Sequence, residues 1–396
     1  MIWFMETNIQ ISSRFNQNLY FYLFVASVCS FLFSLFLLQV FVGALSILWI
    51  FDRFSEKKKA FGIFAKIISV FLVIRVASIV FSDYPAESNQ AYYKDALFYL
   101  GFFSFDFYLK ALNEKKIKVI VYSFAIAAAA SALLGLFRFN LSMVDRAQTF
   151  SSGYSTFSSY LLAGFGVLIC LPLNVNKGFI YKSFSLSIIF SAVIASLGRT
   201  NIAIIAIIFI AGFFLKKINF KEVLIVISLT IIFSSISFYN NSAEVTVRME
   251  KPASLSDRDV LIKGTKDLFL EFQNPILGYG PRTFKKIFPY MDMLADKGIG
   301  SWHNELIQIY FESGFLGLVS LLIIIIVPYY FLIKLLRNNI NIVYKNILWG
   351  VLLGFSGIIL SALTAGFIDS PILSIVFVFL ISLISGINYA AKIMKN

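Results

Sequence analysis

The sequence has 396 residues, of which 59% are hydrophobic and only 14% are charged, and phenylalanine alone occurs 45 times. No water-soluble domain needs that much apolar surface, so the composition excludes an ordinary soluble protein. The formal net charge is +13. Because the lysines and arginines are concentrated in short connections between apolar stretches, the charge indicates membrane topology, and we predict no nucleic-acid partner.

Apolar stretches long enough to cross a hydrocarbon core of roughly 30 Å recur along the chain. They are continuous rather than alternating, which favours helices over barrel strands, because a helix satisfies its own backbone hydrogen bonds in lipid. We therefore predict an all-α, polytopic membrane protein with about twelve transmembrane helices. The predicted spans are residues 19–36, 39–51, 61–81, 97–112, 118–137, 154–173, 183–198, 201–215, 223–238, 314–336, 346–366 and 369–390.

Lysine and arginine are unevenly divided between alternate connections. The rich connections are 52–59, 113–118, 174–182, 215–222, 335–345 and the tail 390–396, and the poor ones are 82–95, 138–150, 198–201 and 367–371. The positive-inside rule predicts that the rich set and both termini are cytoplasmic and that the poor set is external. Residues 1–18 show no cleavable signal pattern, so we expect the first span to be an uncleaved anchor.

One external connection is far longer than the others and divides the chain. We predict about nine transmembrane helices in residues 1–238, a large external loop with short helices in 239–311, and about three further helices in 312–396. Within the loop, DVLIKGTKDLFLEF (259–272) is amphipathic, with Leu261 and Leu268 on one face and lysines elsewhere. We expect the loop to fold as a helical cap over the membrane bundle.

Two arginines on the external side are candidates for function. Arg199 lies at the tip of ASLGRTNIAI, the turn between two predicted spans, and Arg258 lies in SLSDRDVLI near the start of the amphipathic helix. Position alone is equally consistent with an interfacial anchor at Arg199 and favours a surface ion pair at Arg258. A guanidinium also pairs bidentately with phosphate oxygens and keeps its charge, so the two arginines together suit a diphosphate leaving group.

His303 is the only histidine in the chain. It lies in SWHNELIQIYFESGFLGL (301–318), immediately before the next apolar run. We expect Ser301 or a neighbour to cap the helix that begins here, which puts the imidazole in the first turn, where the helix dipole disfavours protonation. A neutral histidine can act as a general base, and the simpler alternative is a structural interface histidine.

Other residue patterns narrow the chemistry. The external segments contain no cluster of histidine, cysteine or closely spaced carboxylates with ligand spacing, so we predict neither a metal nor a cofactor. Cys29 and Cys170 lie within apolar spans and are expected to pack there rather than form a disulfide. Gly278, Gly280 and Pro281 in NPILGYGPRTF predict a turn, and a dinucleotide fingerprint is excluded because the third glycine and the preceding strand are missing.

Several of these segments resemble one bacterial envelope family. HNELIQIYFESGFLG (303–317), with its His-Asn pair and two glycines, resembles the signature of the O-antigen ligase and O-antigen polymerase superfamily. Arg199 in LGRTNIAI resembles the arginine that the family carries between two central helices. Arg258 and LGYGPRTF (277–284) are similar to its second arginine and Gly-rich turn. The resemblance covers mainly residues 150–318.

The resemblance implies a GT-C-like, metal-independent, inverting glycosyltransferase of the bacterial inner membrane. It implies transfer of a glycan from undecaprenyl pyrophosphate to a lipid A core sugar hydroxyl on the periplasmic side, a step of lipopolysaccharide biosynthesis. In this scheme His303 is the catalytic base, and Arg199 and Arg258 hold the diphosphate. Asn304 and Glu305 would orient the histidine or the acceptor.

Further charged residues have supporting roles in this scheme. Arg282 extends the local positive charge, and Arg75, inside the third predicted span, lies close enough to the external end to snorkel or to line the lipid-phosphate site. Asp106 and Lys110 are four residues apart on a helix and predict a structural ion pair. Relatives often carry serine or threonine where Gly198 precedes the arginine, which could alter that arginine's hydrogen bonding.

Alternatives to the ligase differ in acceptor or in class. A repeat-unit polymerase for O-antigen or capsule also releases undecaprenyl pyrophosphate, and its acceptor is another lipid-linked repeat. A pilus protein ligase or a teichoic-acid enzyme of the same superfamily fits the same spacing. A polysaccharide transporter or flippase would also have about twelve spans, but such proteins tend to show internal repeats and midplane binding groups. We find no repeat here, and the polar residues cluster on one side.

Overall fold

The computed structural model describes residues 11–32, 34–172, 178–242, 245–246, 258–294 and 299–393. These residues form helices and turns and contain no β-strand, so the predicted all-α fold is confirmed. The helices are Gln17–Cys29, Leu35–Phe51, Phe54–Ala60, Ile63–Val80, Pro85–Ser88, Gln90–Lys94, Ala96–Ala111, Glu114–Asn140, Tyr154–Cys170, Gly178–Ala195, Arg199–Phe214, Phe220–Asn240, Arg258–Leu270, Phe284–Ile287, Glu305–Arg337, Ile342–Ala362 and Pro371–Ile393, with 3-10 turns at Ser30–Leu32 and Met291–Met293.

Each predicted span overlaps one of these helices, but the first, 19–36, extends past the end of Gln17–Cys29 to the start of Leu35–Phe51. In the described part of the chain, seven helices are long and apolar enough to cross a membrane, and Leu35–Phe51 and Phe54–Ala60 form one further pair that is bent by 109°. Tyr154–Cys170 and Arg199–Phe214 are apolar but shorter. The chain is therefore a multi-pass membrane protein, and the number twelve stays a prediction.

Contacts join alternate connections to each other, as the predicted topology requires. Among the lysine-rich connections, Asn341 Nδ2 donates to Glu114 Oε2 at 2.8 Å. At the lysine-poor end, Ala147 N in connection 138–150 donates at 3.0 Å to the carbonyl of Ala195, the last residue of the helix before connection 198–201. The two sets of connections thus lie at opposite ends of the helices. The side of the membrane that each end faces stays a prediction.

The helix Pro371–Ile393 is the centre of the bundle, since 89% of its span is buried inside the protein. Its aromatic rings pack on those of neighbouring helices, as Phe377 does on Phe98 at 6.3 Å between ring centroids. Elsewhere glycines allow helices to approach closely, because Gly166 lies directly against the backbone of Gly354. This close packing holds the helices in fixed positions relative to one another. The candidate residues lie at the ends of these helices or in the connections between them.

The helix Glu305–Arg337 is broken at Gly314, whose φ of 64° and ψ of −164° lie outside the helical region. The Gly-rich turn 275–280 fills the break. Four backbone hydrogen bonds cross this junction: Phe315 N to Pro275 O at 2.7 Å, Leu316 N to Ile276 O at 3.3 Å, Tyr279 N to Phe311 O at 2.8 Å and Gly280 N to Glu312 O at 3.0 Å. The turn therefore satisfies the peptide groups that the break releases, as a membrane helix requires.

Glycine is needed on both sides of this junction. A Cβ atom on Gly314 would collide with the Ile276 carbonyl, and one on Gly278, which has a φ of 74°, would collide with the Glu312 backbone. Both conformations are also ones that residues with a side chain rarely adopt. The predicted turn at 278–281 is confirmed, and its glycines are explained by close backbone approach rather than by a bound nucleotide.

The described residues 258–294 and 299–311, which we call the cap, form a small apolar core next to the junction. The core side chains are Leu261, Leu268, Tyr279, Phe284, Phe288, Leu294, Trp302 and Phe311. The amphipathic helix is confirmed: Leu261 and Leu268 are buried in this core, whereas Lys263 and Lys266 are exposed. The part of the long connection that the structure describes is thus anchored by apolar packing and by the junction at Gly314.

We predict that Gly314→Ala lowers the free energy of unfolding by about 1–3 kcal/mol, because alanine must adopt a strained conformation and displace the 275–280 turn. Gly43→Ala is the matched control, since an added Cβ there meets nothing within 4 Å. That control should be neutral or stabilising by up to about 1 kcal/mol through helix propensity. Thermal unfolding of both purified proteins in detergent measures the difference, and equal midpoints would contradict the role of Gly314.

Candidate active site

His303 is exposed at the point where the cap returns to the membrane bundle. Its φ of 49° lies in the left-handed region, which is uncommon for a residue with a side chain. The helix begins after Asn304, whose side chain accepts a hydrogen bond from Ile307 N at 3.1 Å. The prediction that Ser301 or a neighbour caps this helix so that His303 lies in its first turn is therefore wrong. His303 instead precedes Asn304, the N-cap residue of the helix.

Arg199 is exposed at the first position of the helix Arg199–Phe214. The turn before it includes Leu197, which has a φ of 55°. Two residues after Arg199, the buried Asn201 anchors this end of the helix to its neighbours. Three hydrogen bonds form the anchor: Asn201 Nδ2 to Ser158 Oγ at 2.7 Å, Asn201 Nδ2 to Ser159 Oγ at 3.2 Å and Ser361 Oγ to Asn201 Oδ1 at 2.9 Å.

One helix end anchors both candidate residues. Ser361, which binds Asn201, lies in the last turn of Ile342–Ala362. Two residues later the carbonyl of Leu363 accepts a hydrogen bond from Asn304 Nδ2 at 3.0 Å. Asn304 directly follows His303, and Asn201 lies two residues after Arg199, so each exposed candidate lies close in sequence to a residue that binds segment 361–363. The structure brings the two residues to one region at the lysine-poor end.

Arg258 is the first residue of the helix Arg258–Leu270. Its side chain lies outside the described residues, so its role stays a prediction from the sequence. Its helix packs through Leu261 and Leu268 into the same core as Trp302, the residue before His303. The backbone of this helix therefore belongs to the cap that also carries the histidine.

Glu305 binds the backbone of a neighbouring connection through its Oε2 atom. That oxygen accepts hydrogen bonds from the backbone amides of Phe367 and Ile368. The carboxylate is buried and ties connection 363–370 to the start of the helix that follows His303. Asn304 and Glu305 thus both bind this connection, through Leu363 and through Phe367 and Ile368, and their proposed orienting roles stay predictions.

Arg75 is 2% exposed, so the prediction that it snorkels to the surface is wrong. Its guanidinium donates to Glu312 Oε2 at 2.8 Å and to Asp95 Oδ2 at 3.1 Å. It also donates to Ser313 Oγ at 3.1 Å, beside the break in the helix. Arg75 therefore joins the helix Ile63–Val80 to the junction through buried ion pairs.

Arg282 belongs to the same buried network and does not simply extend a positive surface. Its Nη2 lies 2.6 Å from Asp95 Oδ1 and 3.5 Å from Asp369 Oδ1, and its backbone N donates to Glu312 Oε1 at 2.9 Å. Gln308 completes the network by donating to Asp369 Oδ2 at 2.6 Å. Burial lowers the pKa of Arg282, but the Asp369 and Asp95 carboxylates raise it by more, so the guanidinium stays charged.

Sequence reasoning missed Asp95, Gln308, Glu312 and Asp369. Their partners lie far away along the chain, and Arg75 and Glu312 are 237 positions apart. A usable signal was the position of Glu312 two residues before the signature glycine, since a carboxylate beside an apolar run is a functional or paired group by default. By contrast, the local pair was predicted correctly: Lys110 Nζ lies 2.6 Å from Asp106 Oδ2.

Comparison with known proteins supports the resemblance found in the sequence. Residues 184–322 match the family model described as O-antigen ligase. This match supports the O-antigen ligase superfamily for this part of the chain. No curated protein matches the chain. The match contains Arg199, Arg258 and His303, and it supports glycosyltransferase-type chemistry on a polyprenyl-linked glycan and a glycan acceptor.

We predict that Arg75→Met lowers the free energy of unfolding by about 3–5 kcal/mol, because it leaves Asp95 and Glu312 buried without this partner. The control is Arg53→Met at an exposed position, which should change stability by less than about 0.5 kcal/mol. Thermal unfolding in detergent compares the two variants with the parent. A tolerated Arg75→Met would show that the network contributes little to the fold.

Asp369 generates a prediction about pH. It lies in connection 363–370. Burial and the Asp95 carboxylate raise the pKa of its carboxyl, and Arg282 and Arg75 offset only part of that increase. A raised pKa means that the folded protein binds this proton more tightly than the unfolded chain does. The resulting stability is full below the ordinary aspartate pKa and is lost as pH rises through the raised value.

Asp369→Asn should therefore reduce the loss of stability as pH rises above the ordinary aspartate pKa of about 4, because the amide cannot ionise. Asp292→Asn, at an exposed position of the cap, should leave the pH profile unchanged. Thermal unfolding measured across this pH range gives both profiles. Parallel curves for Asp369→Asn and the parent would exclude Asp369 as a source of the dependence.

Proposed function

We propose that this protein is an O-antigen ligase that transfers a glycan from undecaprenyl pyrophosphate to a lipid A core sugar hydroxyl at the periplasmic face of the bacterial inner membrane. The observation that carries the proposal is that Asn304, next to His303, and Asn201, two residues after Arg199, bind the same segment, residues 361–363. A base and a phosphate-binding group must lie on one side of the membrane and close together for this reaction. The family match to residues 184–322 supports the substrate class.

In the proposed reaction His303 is the general base. Its ring nitrogen removes the proton of the acceptor hydroxyl as that oxygen attacks the anomeric carbon of the donor sugar. The bond from the anomeric carbon to the diphosphate oxygen breaks, and the diphosphate leaves with the electron pair. Attack opposite the leaving group inverts the anomeric centre. The proton then passes from the exposed imidazole to water.

Arg199 and Arg258 have the complementary task of binding the leaving group. Negative charge develops on the diphosphate as the glycosidic bond breaks, and a guanidinium stabilises it with two parallel hydrogen bonds. In the proposed reaction, Arg199 and Arg258 stabilise the negative charge on the departing diphosphate. Arg75 and Arg282 are assigned to the scaffold, because both are bound by buried carboxylates.

A deletion strain complemented with the parent gene or with His303→Ala tests the function. For a ligase, the deletion strain and the His303→Ala strain should lack every lipopolysaccharide ladder band above lipid A core, and polymerised glycan should accumulate on undecaprenyl pyrophosphate. A core that carries a single repeat would instead mean a polymerase. An unchanged ladder would overturn the proposal and favour a transporter or an enzyme of another glycan.

We predict that His303→Ala slows transfer in isolated membranes by about 10²–10⁴-fold, the usual contribution of a general base. Lys285→Ala, another exposed position in the cap, should leave the rate unchanged. Both variants must accumulate to the level of the parent protein. A rate for His303→Ala within threefold of the parent would exclude the histidine as the base.

Arg199→Lys tests phosphate binding separately, because lysine keeps the charge and loses the bidentate fork. The loss of one charge-assisted hydrogen bond, about 1.5–3 kcal/mol, predicts transfer slowed by about ten- to a hundredfold. Arg53→Lys at the opposite end of the protein is the matched control. Transfer from a purified lipid-linked donor in membranes measures both, and a silent Arg199→Lys would remove the basis for bidentate binding there.

A further inference from the structure

The cap carries an exposed apolar patch, which we define as Phe269, Leu270 and Ile276. Leu270 ends the helix Arg258–Leu270 and is 78% exposed, and Ile276 in the following turn is 61% exposed. Phe269 is exposed on one side while its ring stacks on Tyr310. The opposite face of this helix is already buried in the cap core. The patch is therefore a second apolar surface that no described residue covers.

The patch continues directly into the lipid-facing surface of the bundle. Ile276 O accepts a hydrogen bond from Leu316 N at 3.3 Å, and the residue before it, Pro275, accepts one from Phe315 N. Phe315 is 59% exposed and begins the apolar part of the helix Glu305–Arg337. Ile276 is thus held beside the first residues of a membrane span, which fixes the height of the patch relative to the membrane.

Two lysines lie on the same helix as Phe269 and Leu270, a pattern typical of helices that lie on a membrane, and Lys263 Nζ also lies 4.9 Å from the centroid of the Tyr290 ring. Lys263 and Lys266 are exposed and share a helix face with Leu270, at positions i, i+3 and i+7. Lysine stems can lie along apolar lipid while the ammonium groups reach the headgroup phosphates. The same helix thus presents apolar and basic groups to one side.

We propose that Phe269, Leu270 and Ile276 insert into the boundary between headgroups and acyl chains of the leaflet on the cap side, so that the cap is an interfacial membrane anchor. A second copy of the chain is a poorer occupant, because three side chains cover far less than the roughly 800 Å² per partner of a stable interface. Continuity with the lipid-facing helix also favours lipid. The inference does not depend on the proposed chemistry.

The anchor has a consequence for the rest of the cap. The helix Arg258–Leu270 has 13 residues, so its first residue lies about 20 Å from the inserted end at most. Insertion of the patch would therefore limit the distance between the start of the helix and the headgroup region to about this length. Phosphates attached to membrane lipids occupy that region, whereas soluble phosphates do not accumulate there.

Spin labels on the full chain test the insertion. Cys29→Ala and Cys170→Ala give a background without native thiols, and single cysteines are placed at Leu270 and Ile276. Two controls define the scale: Ile326→Cys on the exposed surface of a span, and Lys285→Cys on the exposed surface of the cap. The labelled proteins are reconstituted in vesicles of phosphatidylethanolamine and phosphatidylglycerol, and collisions with oxygen and with a water-soluble nickel chelate are measured.

Insertion predicts loss of nickel collisions at 270 and 276 with retention of oxygen collisions, as at 326. Nickel collisions equal to those at 285 would overturn the proposal, because the patch would then face water. Loss of both kinds of collision would also overturn it, since another protein surface would cover the patch. Dilution of the protein in the vesicles should leave the result unchanged, whereas a second copy as occupant predicts recovery of collisions.

Discussion

The structure depends on the break in the helix Glu305–Arg337 at Gly314. Peptide groups released at the edge of a membrane span need partners, and the turn 275–280 supplies them from the cap. The cap is therefore joined to the bundle by backbone hydrogen bonds that any substitution of Gly314 or Gly278 would obstruct. Backbone hydrogen bonds make this junction rigid. It therefore also restricts the positions of the residues between His303 and Gly314.

The buried charges use the same junction. Glu312 supplies a backbone carbonyl to the turn and a carboxylate to Arg75 and to the Arg282 amide. Through Asp95 and Asp369 the network then reaches the connections before Ala96–Ala111 and before Pro371–Ile393. Buried ion pairs add little net stability when compared with apolar packing, but a misplaced partner is costly. We infer that the network specifies how the N-terminal and C-terminal helices meet around the cap.

The sequence predicted the features that local patterns determine. Apolar length located the helices, a 3.6-residue period identified the buried face with Leu261 and Leu268, and an i,i+4 spacing identified the pair of Asp106 and Lys110. It could not predict pairs such as Arg75 with Glu312, because no local pattern records a contact across the chain. The helix cap was wrong for a related reason: Ser301 and Asn304 are both good cap residues, and only the backbone path past His303 selects Asn304.

The burial of the arginines decides which of them suit a mobile anion. Arg75 is enclosed and bound by two carboxylates, so a diphosphate would have to displace a buried carboxylate and leave it without this partner. Arg199 is exposed at the start of a helix that Asn201 anchors to its neighbours. The backbone of Arg199 is therefore held in place, while its guanidinium is accessible. A leaving group that arrives and departs in each cycle needs accessible charge on a rigid support. The enclosed arginines instead supply that rigidity, which is why we assign them to the scaffold of the proposed site.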